Sequence, residues 1–121
     1  MATINVGNRN FTATPQVFGP ASIPQKAMDE DGIVIQLTSA DWTANPGRPL
    51  RLTIEHSFDD GASWRLWSDD TFTTNSFARD GSLPKLSLRT GDANGIFQPR
   101  QARVTISAPG GTVNAGAVIT F

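Results

Sequence analysis

Leu50-Arg51-Leu52-Thr53-Ile54-Glu55-His56-Ser57-Phe58 alternates apolar and polar residues without a break. Leu50, Leu52 and Ile54, followed by His56 and Phe58, fall on one side of an extended chain, and Arg51, Thr53 and Glu55 on the other. Side chains of a strand point alternately to its two faces, so this stretch reads as a strand with one buried and one wet face. The same period recurs outward from it. Ile33, Ile35 and Leu37 form one row; Leu86 and Leu88 a short one; Val104, Ile106 and Ala108 another; Val113, Ala115, Ala117, Ile119 and Phe121 the last. Trp64 with Leu66, the pair Ile4 and Val6, and the stretch from Thr71 to Phe77 are further candidates. No window keeps the i, i+3, i+4, i+7 spacing of an amphipathic helix, although Gln25 to Glu30 has room for one turn.

Turn chemistry separates these rows. Asn45-Pro46-Gly47, Asp59-Asp60-Gly61, Asp80-Gly81, Gly91-Asp92-Ala93-Asn94-Gly95 and Pro109-Gly110-Gly111 combine glycine, which accepts positive φ, with Asn and Asp, which bond nearby backbone. Short strands of this number must cover one sheet with another. The expectation is an all-β, antiparallel sandwich of about seven or eight strands, jelly-roll or immunoglobulin-like in topology. The Cys–Trp–Cys spacing of true immunoglobulin domains is absent.

Composition narrows the function. The chain has 121 residues, the size of one domain. Ten basic and eleven acidic residues nearly cancel, which argues against nucleic acid as a partner. With no cysteine and a single histidine, disulfides and thiolate metal sites are excluded and acid–base chemistry has little to draw on. His56 and Ser57 are strand neighbours pointing to opposite faces, so they do not form a nucleophile–base pair. The acidic groups Asp29-Glu30-Asp31, Asp59-Asp60 and Asp69-Asp70 lack EF-hand spacing and read as solvated loop carboxylates. No enzyme, cofactor or metal is expected. The N-terminal residues have neither the basic nor the apolar region of a signal peptide, and no apolar run approaches membrane-spanning length.

Residues 1–31 carry Pro15, Pro20 and Pro24 and few apolar side chains. They read as an extended N-terminal arm or edge strand attached to a sandwich of residues 32–121. As an arm they would be dispensable for folding, with Phe11 and Phe18 as partner contacts. Trp64 and Trp67 have opposite parity, so one faces in and the other out. An outward Trp67 is a candidate for docking on protein or stacking on a sugar.

Ser57-Phe58-Asp59-Asp60-Gly61-Ala62-Ser63-Trp64 fits the pattern S-x-D-x-G-x-x-W and resembles the Asp-box hairpin of sialidases and other β proteins. A chance match is on the order of one in a thousand. Ser57, Asp59, Gly61 and Trp64 are then structural residues of a turn, with the Asp59 carboxylate accepting backbone N–H bonds across it. One copy in this length cannot build a propeller. Together with the closing strand–turn–strand from Arg103 to Phe121, the chain resembles small virion proteins of tailed bacteriophages. That resemblance implies a capsid decoration (cement) protein, made in the host cytoplasm and carried on the virion. Its implied partners are the major capsid protein and copies of itself, a trimer among the options, joined by strand addition through the arm. A carbohydrate-binding β-sandwich module is the alternative.

Overall fold

The four pairings β1–β8, β2–β7, β3–β6 and β4–β5, all antiparallel, describe one long ribbon doubled back on itself. The strands are β1 (Thr3–Phe11), β2 (Gln16–Ser22), β3 (Asp31–Ala40), β4 (Leu50–Ser57), β5 (Arg65–Phe72), β6 (Lys85–Arg89), β7 (Gln101–Ser107) and β8 (Val113–Thr120). Rolling the ribbon adds β3–β8 and β4–β7 and yields two four-stranded sheets, β1-β8-β3-β6 and β2-β7-β4-β5. This is jelly-roll connectivity. The computed structural model describes residues 2–24, 30–42, 47–73, 76–77, 80–89 and 101–121.

The alternating rows become the core because their inward members have no other route out of water. Leu50, Leu52 and Ile54 of β4, Val104 and Ile106 of β7, and Val113, Ala115 and Ile119 of β8 are fully buried. Each large aliphatic side chain placed there contributes about 1.5–3 kcal/mol of transfer free energy. Trp42, just beyond β3, is also fully buried; its indole N–H donates to the Arg48 carbonyl at 3.0 Å and its ring meets Phe77 edge-on at 5.6 Å.

Of the two readings of residues 1–31, an arm or an edge strand, the detached arm is the one corrected: the segment contains β1 and β2, the outer strands of the two sheets, one completing each. Their polar composition follows from edge position, with one face wet, and Pro15 and Pro20 occupy the turn between them and an irregular point of β2. Two further expectations are corrected as well. Phe11 is 1 % exposed and has no surface to offer a partner; it packs edge-on against Phe18, which lies partly buried on the core. The strand suggested from Thr71 to Phe77 ends at Phe72. Asn45-Pro46, Gly91 to Gly95, and all but Glu30 of the helical turn suggested at Gln25 to Glu30 lie outside the described residues.

Among the described residues none of the edge strands is long and regular. β1 is interrupted by a bulge between Val6 and Arg9, β2 by one between Phe18 and Ala21, and β6 has five residues. In β5 the register slips between the partners of Ile54 and Glu55, so Trp67 is the extra residue. Beyond that bulge, Ser68 and Asp70 stand opposite the inward-facing Ile54 and Leu52. Bulges, short strands and inward-turned polar residues are the devices that prevent edge-to-edge pairing. Strand addition, expected from sequence as the mode of assembly, is therefore disfavoured, and the two outer faces remain for contact.

Candidate contact surfaces

The Asp-box hairpin forms where β4 ends. The Ser57 hydroxyl donates to Asp59 Oδ1 at 2.8 Å and accepts the Gly61 N–H at 2.8 Å. Asp59 in turn accepts the Ser63 N–H at 2.9 Å and the Ser63 hydroxyl at 2.6 Å. These hydrogen bonds to the ionised form, those from Ser63 foremost, hold the Asp59 carboxyl at about 2, below its usual range. Gly61 has φ +90°, and Asp60, where related turns carry a second glycine, has φ +57°. Asp tolerates that left-handed conformation better than most side chains.

The hairpin fixes Trp64 against the outer face of the β2-β7-β4-β5 sheet. The Arg103 guanidinium from β7 lies over the Trp64 ring at 4.3 Å, and Arg103 Nε donates to Glu55 Oε1 of β4 at 3.0 Å. On the same face Arg51 grips Asp69 through two hydrogen bonds, of 2.9 and 2.7 Å. Both pairs are solvent-accessible and contribute orientation more than stability. Val17 of β2 and Leu66 of β5, 57 % and 62 % exposed, lie on this face too. Val17 stands beside Thr105 and Leu66 beside Glu55, both outward positions.

Trp64 is therefore the outward tryptophan, and Trp67, proposed from sequence as a partner contact, turns inward. The bulge places it against the core, where it meets His56 edge-on at 5.8 Å. Arg103, Glu55, Leu66 and Val17 were not singled out by sequence. Their outward parity is legible, but that Arg103 stands beside Glu55 depends on β7 pairing with β4, which no local pattern encodes.

The other outer face, on β1-β8-β3-β6, has a different composition. One cross-strand row reads Asn5, Val118, Gln36, Lys85 and the next Thr3, Thr120, Val34, Ser87. Beside them Asn114 donates to Asn10 at 3.0 Å, and the Ser39 hydroxyl donates to Asn8. The last pair covers Gly116, where a Cβ would come within 2.7 Å of Asn8 Oδ1 and 2.9 Å of the Thr38 hydroxyl. Lys85 is the one charge in those two rows. No protein-family model, no curated protein and no solved structure matches this chain.

Chemistry has few footholds among the described residues. No three His, Asp or Glu side chains gather where a metal ion could sit. A groove of about 600 Å³ opens between the β5 and β6 edges, lined by Phe72, Thr71, Gln36, Ser82 and Lys85 among others, and Lys85 is the only ionisable group among the described residues on it. His56 is 3 % exposed, with Phe58 edge-on at 4.8 Å and no hydrogen-bond partner on Nδ1. Ser57 uses its hydroxyl in the turn, so the two do not act together.

Burial, and secondarily the charge of Arg65, lowers the His56 pKa below its ordinary value of 6.5. The unfolded chain then binds the proton first as pH falls, so stability decreases below about pH 6.5 until the folded-state value is passed. Asp59 adds a second loss at lower pH, between its ordinary value of 3.8 and about 2. Denaturant midpoints from about pH 8 to about pH 5 should fall for the wild type and stay nearly level for His56→Phe. An unchanged slope in that variant would remove His56 as the cause.

Proposed function

We propose that this chain is a non-enzymatic structural protein of a tailed-phage virion, a decoration protein that seats on the major capsid protein lattice and stabilises the head. The observation that carries the reading is the pair of charge-poor rows on the outer face of β1-β8-β3-β6, with their amides, hydroxyls and half-buried Val34 and Val118 and the single charge of Lys85. Charge depletion marks the core of protein interfaces, because a charge buried without a matched partner costs several kcal/mol. Amide and hydroxyl side chains, in contrast, hydrogen-bond across a contact and tolerate water at its rim. Jelly rolls serve both in viral capsids and in lectins, which supports the reading by analogy alone. The sugar-binding reading has less support. Trp64, the tryptophan set against an outer face, already has a guanidinium stacked on its ring.

The test uses heads lacking this protein, purified from the virus that encodes it. Added wild-type protein is expected to cosediment with them and raise their disruption temperature. Val118→Glu, which places a charge in the middle of the row, should cut affinity by about tenfold or more while its thermal midpoint shows that it remains folded. Wild-type protein that does not bind heads, or a folded Val118→Glu that occupies them equally, would overturn the proposal.

A further inference from the structure

We infer that the outer face of β2-β7-β4-β5 is a two-fold interface with a second copy of this chain, in which Val17 of each copy packs on Leu66 of the other. The inference does not depend on the virion reading, which concerns the opposite face of the sandwich.

Val17 and Leu66 are the large apolar side chains that the described chain leaves well exposed, at 57 % and 62 %. Both project from the same sheet, from its two opposite edge strands. Three strand spacings and one residue pair along the strand separate them, about 16 Å. Too far apart to cover each other, they suit an isologous contact, in which residue i of one copy meets residue j of its mate and j meets i. A two-fold axis lying between the two faces, parallel to them and crossing the Val17–Leu66 line at right angles at its midpoint, makes both contacts at once. Between the anchors lie Thr105, Thr53, Glu55 and Arg103, followed by Trp64.

Charge supports the same occupant. The ion pairs of this face, Arg51 with Asp69 and Arg103 with Glu55, contribute two charges of each sign. A strongly charged partner would find half of them repulsive. A second copy presents the same balanced set and can exchange Glu55 between the two Arg103 side chains near the axis. The Arg103–Trp64 stack supplies the residue types that carry most energy at interface centres. Blocked edges leave face-to-face contact as the remaining geometry.

Size sets the strength. Four strands about 4.8 Å apart and seven or eight residues long present about 500 Å² in projection. Two such faces reach about 1,000 Å², the lower bound for a specific interface. The pairing is therefore concentration-dependent, with dissociation in the range of about ten to several hundred micromolar.

Sedimentation equilibrium of the full chain, from about ten micromolar to about one millimolar, tests it. The wild type is expected to move from monomer to dimer, while Val17→Glu and Leu66→Lys each remain monomeric with unchanged far-UV circular dichroism and thermal midpoint. An equimolar mixture of these two variants should recover dimer, because the introduced carboxylate of one copy then meets the introduced ammonium of the other while the second contact keeps its native Val17 and Leu66. A monomeric wild type at about one millimolar, an assembly other than a dimer, a single variant that dimerises normally, or a mixture that stays monomeric would each overturn the inference. Head binding by the monomeric variants is a separate readout, so failure here and failure of the virion reading can be told apart.

Discussion

A chain shortened by residues 1–20 is expected to lose cooperative folding altogether. The deletion removes all of β1 and most of β2, one outer strand from each sheet. With them go Val6 and Phe11, which are 3 % and 1 % exposed, and Phe18, which packs on the core. At about 1.5–3 kcal/mol for each large apolar side chain fully buried, the lost transfer free energy alone is about 4–8 kcal/mol. A domain of this size is stable by about 5–15 kcal/mol in total. The deletion also uncovers the β8 and β7 edges, which are seven or eight residues long and register with their remaining partners nearly throughout. Unlike the native edges, they carry few protective features, so association of the truncated chain should compete with any residual folding. The measurement is the soluble yield, with amide proton dispersion of whatever is soluble. A well-dispersed spectrum and a cooperative melt would show that residues 1–20 are the arm their composition suggests.

That contrast shows which parts of the fold are legible. The inner strands β3, β4, β7 and β8 write themselves as uninterrupted alternation, because a neighbour on each side pins their register and the opposing sheet demands every second side chain. The outer strands do not. In β1 the bulge at Gly7 and Asn8, and in β2 the one at Gly19 and Pro20, break the alternation after a few residues. In β5 the inward positions are Ser68, Asp70, Phe72 and, through the bulge, Trp67. A period-two reading therefore assigns Trp67 and the polar N-terminal segment poorly, for the same physical reason that these edges resist pairing.

The turn after β4 and its Asp59 acceptor are legible because the turn closes within eight residues. Ser57, Asp59 and Gly61 meet through bonds no longer than four residues in sequence separation. The surface it supports is not legible. Arg103 reaches Trp64 and Glu55 only after the intervening chain, 48 residues from Glu55, has returned β7 to the side of β4. The charge-poor rows of the opposite face likewise draw on β1, β8, β3 and β6, which are scattered from one end of the chain to the other. Both candidate contact surfaces are products of topology, and neither is written in any single segment.

Trp42→Ala should be the most damaging single substitution in the described chain. Trp42 lies two residues past β3, outside every alternating row, yet it is the largest of the fully buried side chains. It closes one end of the sandwich. Its ring meets Phe77 edge-on and its N–H holds the Arg48 carbonyl, and Arg48 in turn donates to the Thr112 carbonyl at 2.9 Å. Trp42 thereby ties the end of β3 to the segment before β4, which the Arg48 side chain ties to the turn between β7 and β8. Removing it leaves a cavity that the surrounding strands, hydrogen-bonded on both sides, cannot collapse to fill. The expected cost is about 3–5 kcal/mol, or a fall in melting temperature of about 10–20 °C for a domain of this length. Trp42→Phe separates the two contributions: the ring remains in part, the indole donor is lost, and the cost should drop to about 1–3 kcal/mol. Equal losses for Ala and Phe would mean that the hydrogen bond to Arg48, and not packing, carries the role of this residue. A loss below about 1 kcal/mol for Trp42→Ala would mean that this end of the sandwich is not closed by Trp42 at all.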